Sequence, residues 1–288
     1  MLEDFFEDII GKARYGRNMS VFELACKSGL SEKRVTELEG GSLPKKNEIL
    51  LIAETLGLSS EKLTFIVENK WTPAPIAPYC GKADIYMVQI IDGHIGAYAV
   101  NGYLFVDWQT RECVLFDTGC DPRRVLQFLT ANQVRLVGIF VTHAHPDHIG
   151  GIESIQVKSG APLYSHPDEK MPFLENRQKP VHLKDGAVFQ VGRFQIKTHH
   201  TPGHTNGGMT YTILSGPNLV NPLAFVGDAL FAGSLGRAQS SKTYLTLIQS
   251  VREKILSLPV KTQLFPGHGP VTSVAEERQH NPFFTQFW

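Results

Sequence analysis

The sequence predicts an α+β protein in two parts, a small all-α module followed by a larger mixed domain. Three observations carry that reading. Apolar residues recur at helical spacing through residues 1–70, three prolines crowd residues 71–80, and short β-branched and aromatic runs fill residues 81–288 with helical stretches between them. At roughly 150 residues per domain, a chain of 288 residues is expected to hold two cores.

Five helices are expected in the first part. Leu2, Phe5, Phe6, Ile9 and Ile10 fall on one helical stripe. Ser20 with Glu23 forms a capping box ahead of Val21, Leu24 and Ala25, and Gly29 closes that helix. Ser31 caps a short helix holding Val35 and Leu38, stopped by Gly40-Gly41. Asn47 opens a fourth helix with Ile49, Leu50, Ile52, Ala53 and Leu56 up to Gly57, and Ser59-Ser60 opens a fifth with Leu63 and Ile66. Pro73, Pro75 and Pro78 allow neither helix nor central strand, so residues 71–80 read as a semi-rigid linker.

From residue 81 the expected strands are Ile85–Ile91, Ala97–Val106, Val114–Asp117, Val137–Thr142, Phe194–Thr198, Met209–Leu214, Leu223–Gly227 and Thr262–Phe265. Helices are expected at Pro122–Asn132, Gly151–Val157 and Thr243–Ser257.

Composition narrows the function. Lys+Arg and Asp+Glu balance at 28 each, so no global basic field exists for nucleic acid or anionic membrane. No apolar run approaches a membrane span and the acidic start lacks a basic signal region, so a cytoplasmic protein with no membrane partner is expected. Cys26, Cys80, Cys113 and Cys120 have no CxxC spacing and read as reduced packing residues.

Of the 11 histidines, His143, His145 and His148 fall within six residues, with Asp147 among them, directly after an expected strand. Neutral imidazoles and a carboxylate aimed from a rigid strand end suit a divalent cation, and Pro146 and Gly150-Gly151 let the chain fold tightly round one. Downstream, Thr201-Pro202-Gly203-His204, Val226-Gly227-Asp228 and Pro266-Gly267-His268 each set a ligand-type residue beside glycine at a strand end or turn.

These segments resemble the metallo-β-lactamase superfamily, whose HxHxDH segment is followed in chain order by a His, an Asp and a last His. The resemblance covers about residues 81–288 and implies an αββα sandwich. Carried over by position, it implies one metal on His143, His145 and His204, a second on Asp147, His148 and His268, and Asp228 bridging them. Two divalent ions are expected, zinc first, with iron or manganese as alternatives. Catalysis would be attack by metal-bound hydroxide on a polarised carbonyl, with Asp147 and Asp228 as the catalytic carboxylates. Such a centre favours a small anionic substrate.

Gly227–Arg237, Pro266–Thr272, Glu276-Glu277-Arg278 and Asn281-Pro282-Phe283 are similar to the glyoxalase II branch, which implies hydrolysis of a hydroxyacylglutathione-like thioester. Arg237 would meet a carboxylate of the thiol carrier. Arg237-Ala238-Gln239, Gly96-Ala97-Tyr98 and the end 20 residues after His268 depart from that branch. Persulfide dioxygenases of the same superfamily, with one iron on the positions of His143, His204 and Asp228, are the enzymatic alternative.

Residues 1–70, from Met19-Ser20 through Leu24-Ala25-Cys26-Lys27-Ser28-Gly29 to Leu56-Gly57-Leu58, resemble the phage-repressor (XRE) helix-turn-helix family. That resemblance implies DNA in contact with the helix near Ser31, through Lys33 and Arg34. The segment nevertheless holds 10 Lys/Arg against 12 Asp/Glu. A regulator whose metal domain senses a metabolite is the reading from another class.

Asp117 is expected to orient a ligand, His200 either to do so or to be solvated, and His94, His166, His182, His199 and His280 to be surface or structural. The terminal Phe283, Phe284, Phe287 and Trp288 are expected to pack onto the sheet or a neighbouring subunit, and a homodimer is the expected assembly.

Overall fold

The computed structural model describes residues 1–74, 85–96, 98–171 and 179–285. Five helices come first, α1 (Phe6–Gly16), α2 (Val21–Ser28), α3 (Glu32–Glu39), α4 (Lys46–Leu56) and α5 (Ser60–Val67). Ser20 accepts from the Glu23 N–H and Ser31 from the Arg34 N–H, while Gly29 and Gly57 take the left-handed C-cap, so these boundaries follow the local signals. α1 starts later and runs further than its stripe suggested, because Leu2 is buried ahead of the helix and Ala13 continues its buried face. α4 begins one residue before Asn47.

The rest forms two facing six-stranded sheets. β1 (Tyr86–Ile95), β2 (Tyr98–Asp107), β3 (Glu112–Phe116), β4 (Arg135–Phe140), β5 (Leu163–Ser165) and β6 (Val181–His182) make the first in that order. The second runs β14 (Thr272–Ser273), β13 (Gln263–Pro266), β10 (Leu223–Gly227), β9 (Met209–Ile213), β8 (Phe194–His200) and β7 (Val188–Val191). A small hairpin pairs β11 (Leu230–Phe231) with β12 (Ser234–Leu235). Helices α6 (Pro122–Asn132), α7 (Pro146–Ile149), α8 (Ile152–Ser159), α9 (Ser241–Ser250, continued by a π turn to Ile255) and α10 (Val274–His280) complete the chain. The short strands β5, β6, β7, β11, β12 and β14 and the helices α7 and α10 carry too few residues to leave a readable period in the sequence. Among the described residues no helix is long and apolar enough to cross a membrane.

Alternation along each strand assigns the layers. Tyr103 and Phe105 of β2, Val114 and Phe116 of β3, and Leu223 and Phe225 of β10 fill the space between the sheets, where Phe116 and Phe225 stack 3.9 Å apart. The opposite faces of β2 and β3, with Leu104, Val106, Cys113 and Leu115, pack under α6 and α8. Ala224 and Val226, on the other face of β10, join a third cluster with Leu247 of α9 and Val274 of α10. The architecture is therefore an αββα sandwich.

One of the three buried clusters spans both parts of the chain. Ile9, Ile10, Leu38, Ile52 and Leu63 of the helical module belong to the same buried cluster as Leu247, Val274, Phe283 and Phe284. The module packs its apolar side onto the outer helices of the sandwich because that side would otherwise face water. Phe283 and Phe284 join this cluster, which also contains Ala224, Val226 and Leu264 from the outer face of the second sheet; Phe287 and Trp288 lie outside the described residues. Of the expected linker only residues 71–74 are described. Trp71 is buried there, donates to Glu276 at 2.7 Å and stacks on His280 at 4.9 Å, giving that histidine a structural role.

Arg34 is engaged inside the module. Its guanidinium forks onto Glu48 at 2.9 and 2.8 Å, reaches Glu37 at 3.3 Å and donates to the Leu43 carbonyl at 2.9 Å. This hydrogen-bonded fork holds the Glu48 carboxyl down to about 2. A depressed folded-state carboxyl contributes stability above its unfolded value and loses it as pH falls through the folded one. Arg34→Gln is therefore expected to lower Tm at pH 7, with the gap to the parent narrowing as pH falls from 4.5 towards 2. Denaturation series of both proteins across that range check it.

Candidate metal centre

The residues singled out in the HxHxDH segment and the three downstream turns meet at one edge of the sandwich. β4 leads into His143 and His145, and α7 turns Asp147 and His148 back towards them. His204 sits between β8 and β9, Asp228 directly after β10, and His268 after β13. Each ligand except His204 thus follows the carboxyl end of a strand held by its neighbours, so the sheets place side chains that are far apart in sequence.

Two ligand sets are visible. In one, His145 Nδ1 lies 3.0 Å from His143 Nε2 and 3.0 Å from His204 Nε2, and Asp228 Oδ2 lies 3.9 and 3.5 Å from those two Nε2 atoms. In the other, His268 Nε2 is 3.1 Å from Asp147 Oδ2, and His148 Nε2 is 3.6 Å from that oxygen and 3.2 Å from Asp228 Oδ1. Asp228 Oδ2 is also 3.5 Å from His268 Nε2, so the carboxylate stands between the sets. Ligands about 2.0–2.1 Å from a tetrahedral cation are roughly 3.3 Å from one another, and these separations scatter around that value.

The protons point the same way. Thr142 Oγ1 gives its only hydrogen to Asp117 Oδ2 at 2.6 Å, so the 3.0 Å contact with His143 Nδ1 requires the ring to donate. His148 Nδ1 donates to Asp117 Oδ2 at 2.8 Å, His204 Nδ1 to the Arg237 carbonyl at 2.8 Å, and His268 Nδ1 to the Ala99 carbonyl at 2.5 Å. With Nδ1 protonated in all four rings, their Nε2 lone pairs converge on the centre. The buried His148 Nε2 and Asp228 Oδ1 have no hydrogen-bond partner, which is costly for polar atoms unless a cation completes them. The residues fit divalent metal binding.

For Asp228 and His143 the electrostatics agree, whereas the neighbouring carboxylates hold His148 well above its ordinary value and His268 up to about 9, so a cation must displace a proton from each of those rings. Burial alone would raise the Asp228 carboxyl, but His148 and His143 outweigh it and hold it well below the carboxylate range. His143 is held well below its ordinary value by burial and by His148. Both groups therefore favour the form that binds a cation.

Asp117 does what was expected of it, in a left-handed backbone conformation with φ 52°. Besides His148 and Thr142 Oγ1 it accepts from the Thr142 N–H at 2.7 Å, tying β3's end to the ligand loop. Asp117→Asn is expected to lower metal affinity or turnover by roughly 10–100-fold, checked by competitive metal titration. His200 does not join the centre: it stacks on His166 at 4.2 Å and contacts the Asn206 carbonyl at 3.0 Å. Cys120 packs with its Sγ 3.5 Å from the Pro146 carbonyl.

Several supports carried no sequence signal. Buried Glu169 accepts from the Ala144 N–H, Thr205 Oγ1 and the Gly207 N–H, joining the loops that bear His143, His145 and His204. Asn101 and Tyr103 donate to the Pro266 carbonyl, fixing the approach to His268. Glu277, which belonged to the glyoxalase II-like segment, is buried and pushed up to about 7 by that burial. It accepts from the Gly233 N–H, Thr272 and Asn281, so it holds the β11–β12 hairpin. The Arg237 side chain is exposed at the cleft, whereas its carbonyl orients His204.

An αββα sandwich with this ligand set at its edge defines a metal-binding protein of the hydrolase type. The chain belongs to the metallo-beta-lactamase superfamily, whose model matches residues 95–268. It is similar to the probable metallo-hydrolase YqgX of Bacillus subtilis, 31% identical over 67% of this chain and 96% of that one. It is also similar to the mitochondrial persulfide dioxygenase ETHE1 of Bos taurus, 33% identical over 64% of this chain and 70% of that one. The crystal structure of TTHA1623 in a di-iron-bound form superposes with a TM-score of 0.53 at 28% identity, covering 67% of this chain and all of that one. The family match begins after the five-helix module.

Proposed function

We propose that the protein is a binuclear metal-dependent hydrolase of small thioesters, hydroxyacylglutathione-like in class. The observation that carries it is Asp228, whose carboxylate reaches both ligand sets, Oδ1 at 3.2 Å from His148 and Oδ2 at 3.5 Å from both His204 and His268. Two divalent ions held there, zinc first, would supply a water acidified to a pKa of about 7 and polarise the carbonyl. Asp147, partly exposed in the cleft, is placed to take at its carboxylate the proton that water loses on attack. The C–O bond forms, the C–S bond breaks, and a thiolate of pKa about 8.5 leaves without needing a general acid. The exposed guanidinium of Arg237, at the rim of the same cleft, suits a carboxylate on the thiol carrier.

The second reading is an iron-dependent persulfide dioxygenase, favoured by the similarity to ETHE1. Metal analysis of protein purified without added metal, with thioester hydrolysis and oxygen uptake measured in parallel, separates them. Two zinc ions with hydrolysis are expected; one iron with oxygen consumption overturns the hydrolase.

DNA binding by a helix-turn-helix in residues 1–70 would rest on Lys33, 87% exposed, because Arg34 is engaged by Glu48. Retardation of duplex DNA by the intact protein, lost in Lys33→Glu, is the outcome that reading requires. We further propose a cytoplasmic homodimer, which sedimentation of the intact protein tests.

A further inference from the structure

The helical module reaches the metal centre. α1 carries two opposite stripes: Phe6, Ile9, Ile10 and Ala13 are buried in the shared core, while Glu7, Gly11, Arg14 and Tyr15 face a cavity. The far wall of that cavity, about 540 Å³ in volume, includes His145, His204 and Arg237. A second cavity of about 420 Å³, over Asp147, Asp228 and His268, is bounded by Lys12 and by Glu3 and Asp4 just ahead of α1. Both of these cavities lie between the sandwich and the N-terminal segment.

This wall is fixed. The Lys12 ammonium lies against Asp4 and donates to the Leu235 carbonyl at 2.8 Å, Asp4 also accepts from Ser234, and Tyr15 donates to the Gln239 carbonyl at 3.1 Å. Gly16 lies so close to Tyr244 of α9 that a Cβ there would come within 2.3 Å of its ring. Tethers on both sides of the cleft rule out a module swinging free on a linker.

Gly11 is the informative residue. It sits in the middle of α1, where glycine is the least favourable residue short of proline. Its backbone is not left-handed, and a Cβ added to it would meet nothing within 4 Å. Neither conformation nor packing calls for glycine, yet its missing side chain enlarges the cavity in front of His145 and His204.

We propose that α1 is a substrate-binding wall of the metal cleft and that Gly11 is a specificity-determining residue, leaving room for the non-reacting arm of a small-molecule substrate. A space of this size suits a small molecule. The proposal rests on the hydrolase reading for its substrate class but not for its geometry.

The test uses zinc-loaded full-length Gly11→Trp, with S-lactoylglutathione and the N-acetylcysteamine thioester of the same acid as probes. The ratio of their kcat/KM values is expected to shift at least tenfold towards the smaller thioester. Zinc loss to dipicolinate, a substrate-sized dianion that must enter the cleft, is expected to slow at least fivefold. If the parent hydrolyses both thioesters, an unchanged ratio overturns the proposal. If it hydrolyses neither, the hydrolase reading fails alone and the chelator rate decides, read by cobalt absorption for the set of His145 and His204 that Gly11 faces: no slowing there overturns the wall. Should tryptophan prevent folding, Gly11→Met carries the same measurements with a smaller shift.

Discussion

Asp228→Ala is expected to abolish turnover and to reduce bound metal from two ions to one or none. No other described side chain faces both ligand sets: Oδ1 lies 3.2 Å from His148 Nε2, and Oδ2 lies 3.5 Å from both His204 and His268. Removing it deletes a ligand from each set together with the negative charge that keeps two cations close. The loss should exceed the roughly 10–100-fold expected for residues that merely orient ligands, such as Asp117. Because the imidazoles of His148 and His143 favour the buried Asp228 carboxylate, its alanine variant also removes a favourable buried partner, and the Tm of the metal-free variant, measured beside its metal content, separates lost ligation from lost fold. Metal content by mass spectrometry and steady-state hydrolysis check the prediction. Full occupancy of both sites with retained turnover would refute the bridging role.

Gly267→Ala is expected to empty the site formed by Asp147, His148 and His268 while leaving a cation on His143, His145 and His204. A Cβ at position 267 would come within 2.3 Å of Asp228 Oδ1 and 2.4 Å of His148 Cε1. The backbone cannot retreat, since the Gly267 carbonyl accepts from the Asn101 N–H at 2.8 Å and its N–H donates to the Gly227 carbonyl at 3.0 Å. His148 cannot turn away without breaking its 2.8 Å bond to Asp117. A change of one methyl group should therefore cost one ion per chain and at least about 100-fold in turnover, comparable with losing an orienting partner outright. Spectroscopy of the cobalt-substituted variant distinguishes loss of one site from disorder in both. Two intact cobalt sites would mean that the cradle is looser than its contacts indicate.

These two variants differ in how they could have been found. Asp228 stands out in the sequence because Val226-Gly227-Asp228 repeats a pattern of glycine beside a ligand at the end of an apolar run. Gly267 is visible as part of the same pattern, but which atoms it accommodates depends on β13 lying parallel to β10. Glu169 had no signal at all: it follows a two-residue turn from His166, and its three hydrogen bonds go to loops distant in sequence. Arg34 reads in sequence as a basic residue near a helix start and is, in the fold, the partner of Glu48 on the next helix.

What the sequence by itself determined is local: the caps that bound α2, α3 and α5, the alternation that gives each long strand two faces, and which imidazole and carboxylate side chains are candidates to hold a metal. Those features depend on neighbours a few residues away, so they can be read along the chain. The tertiary structure alone decided which partners set the imidazole tautomers, that the helical module shares a core with the sandwich, and that α1 walls the cleft. Each of these depends on burying apolar surface between segments up to two hundred residues apart, and no local period records which of the available surfaces will meet.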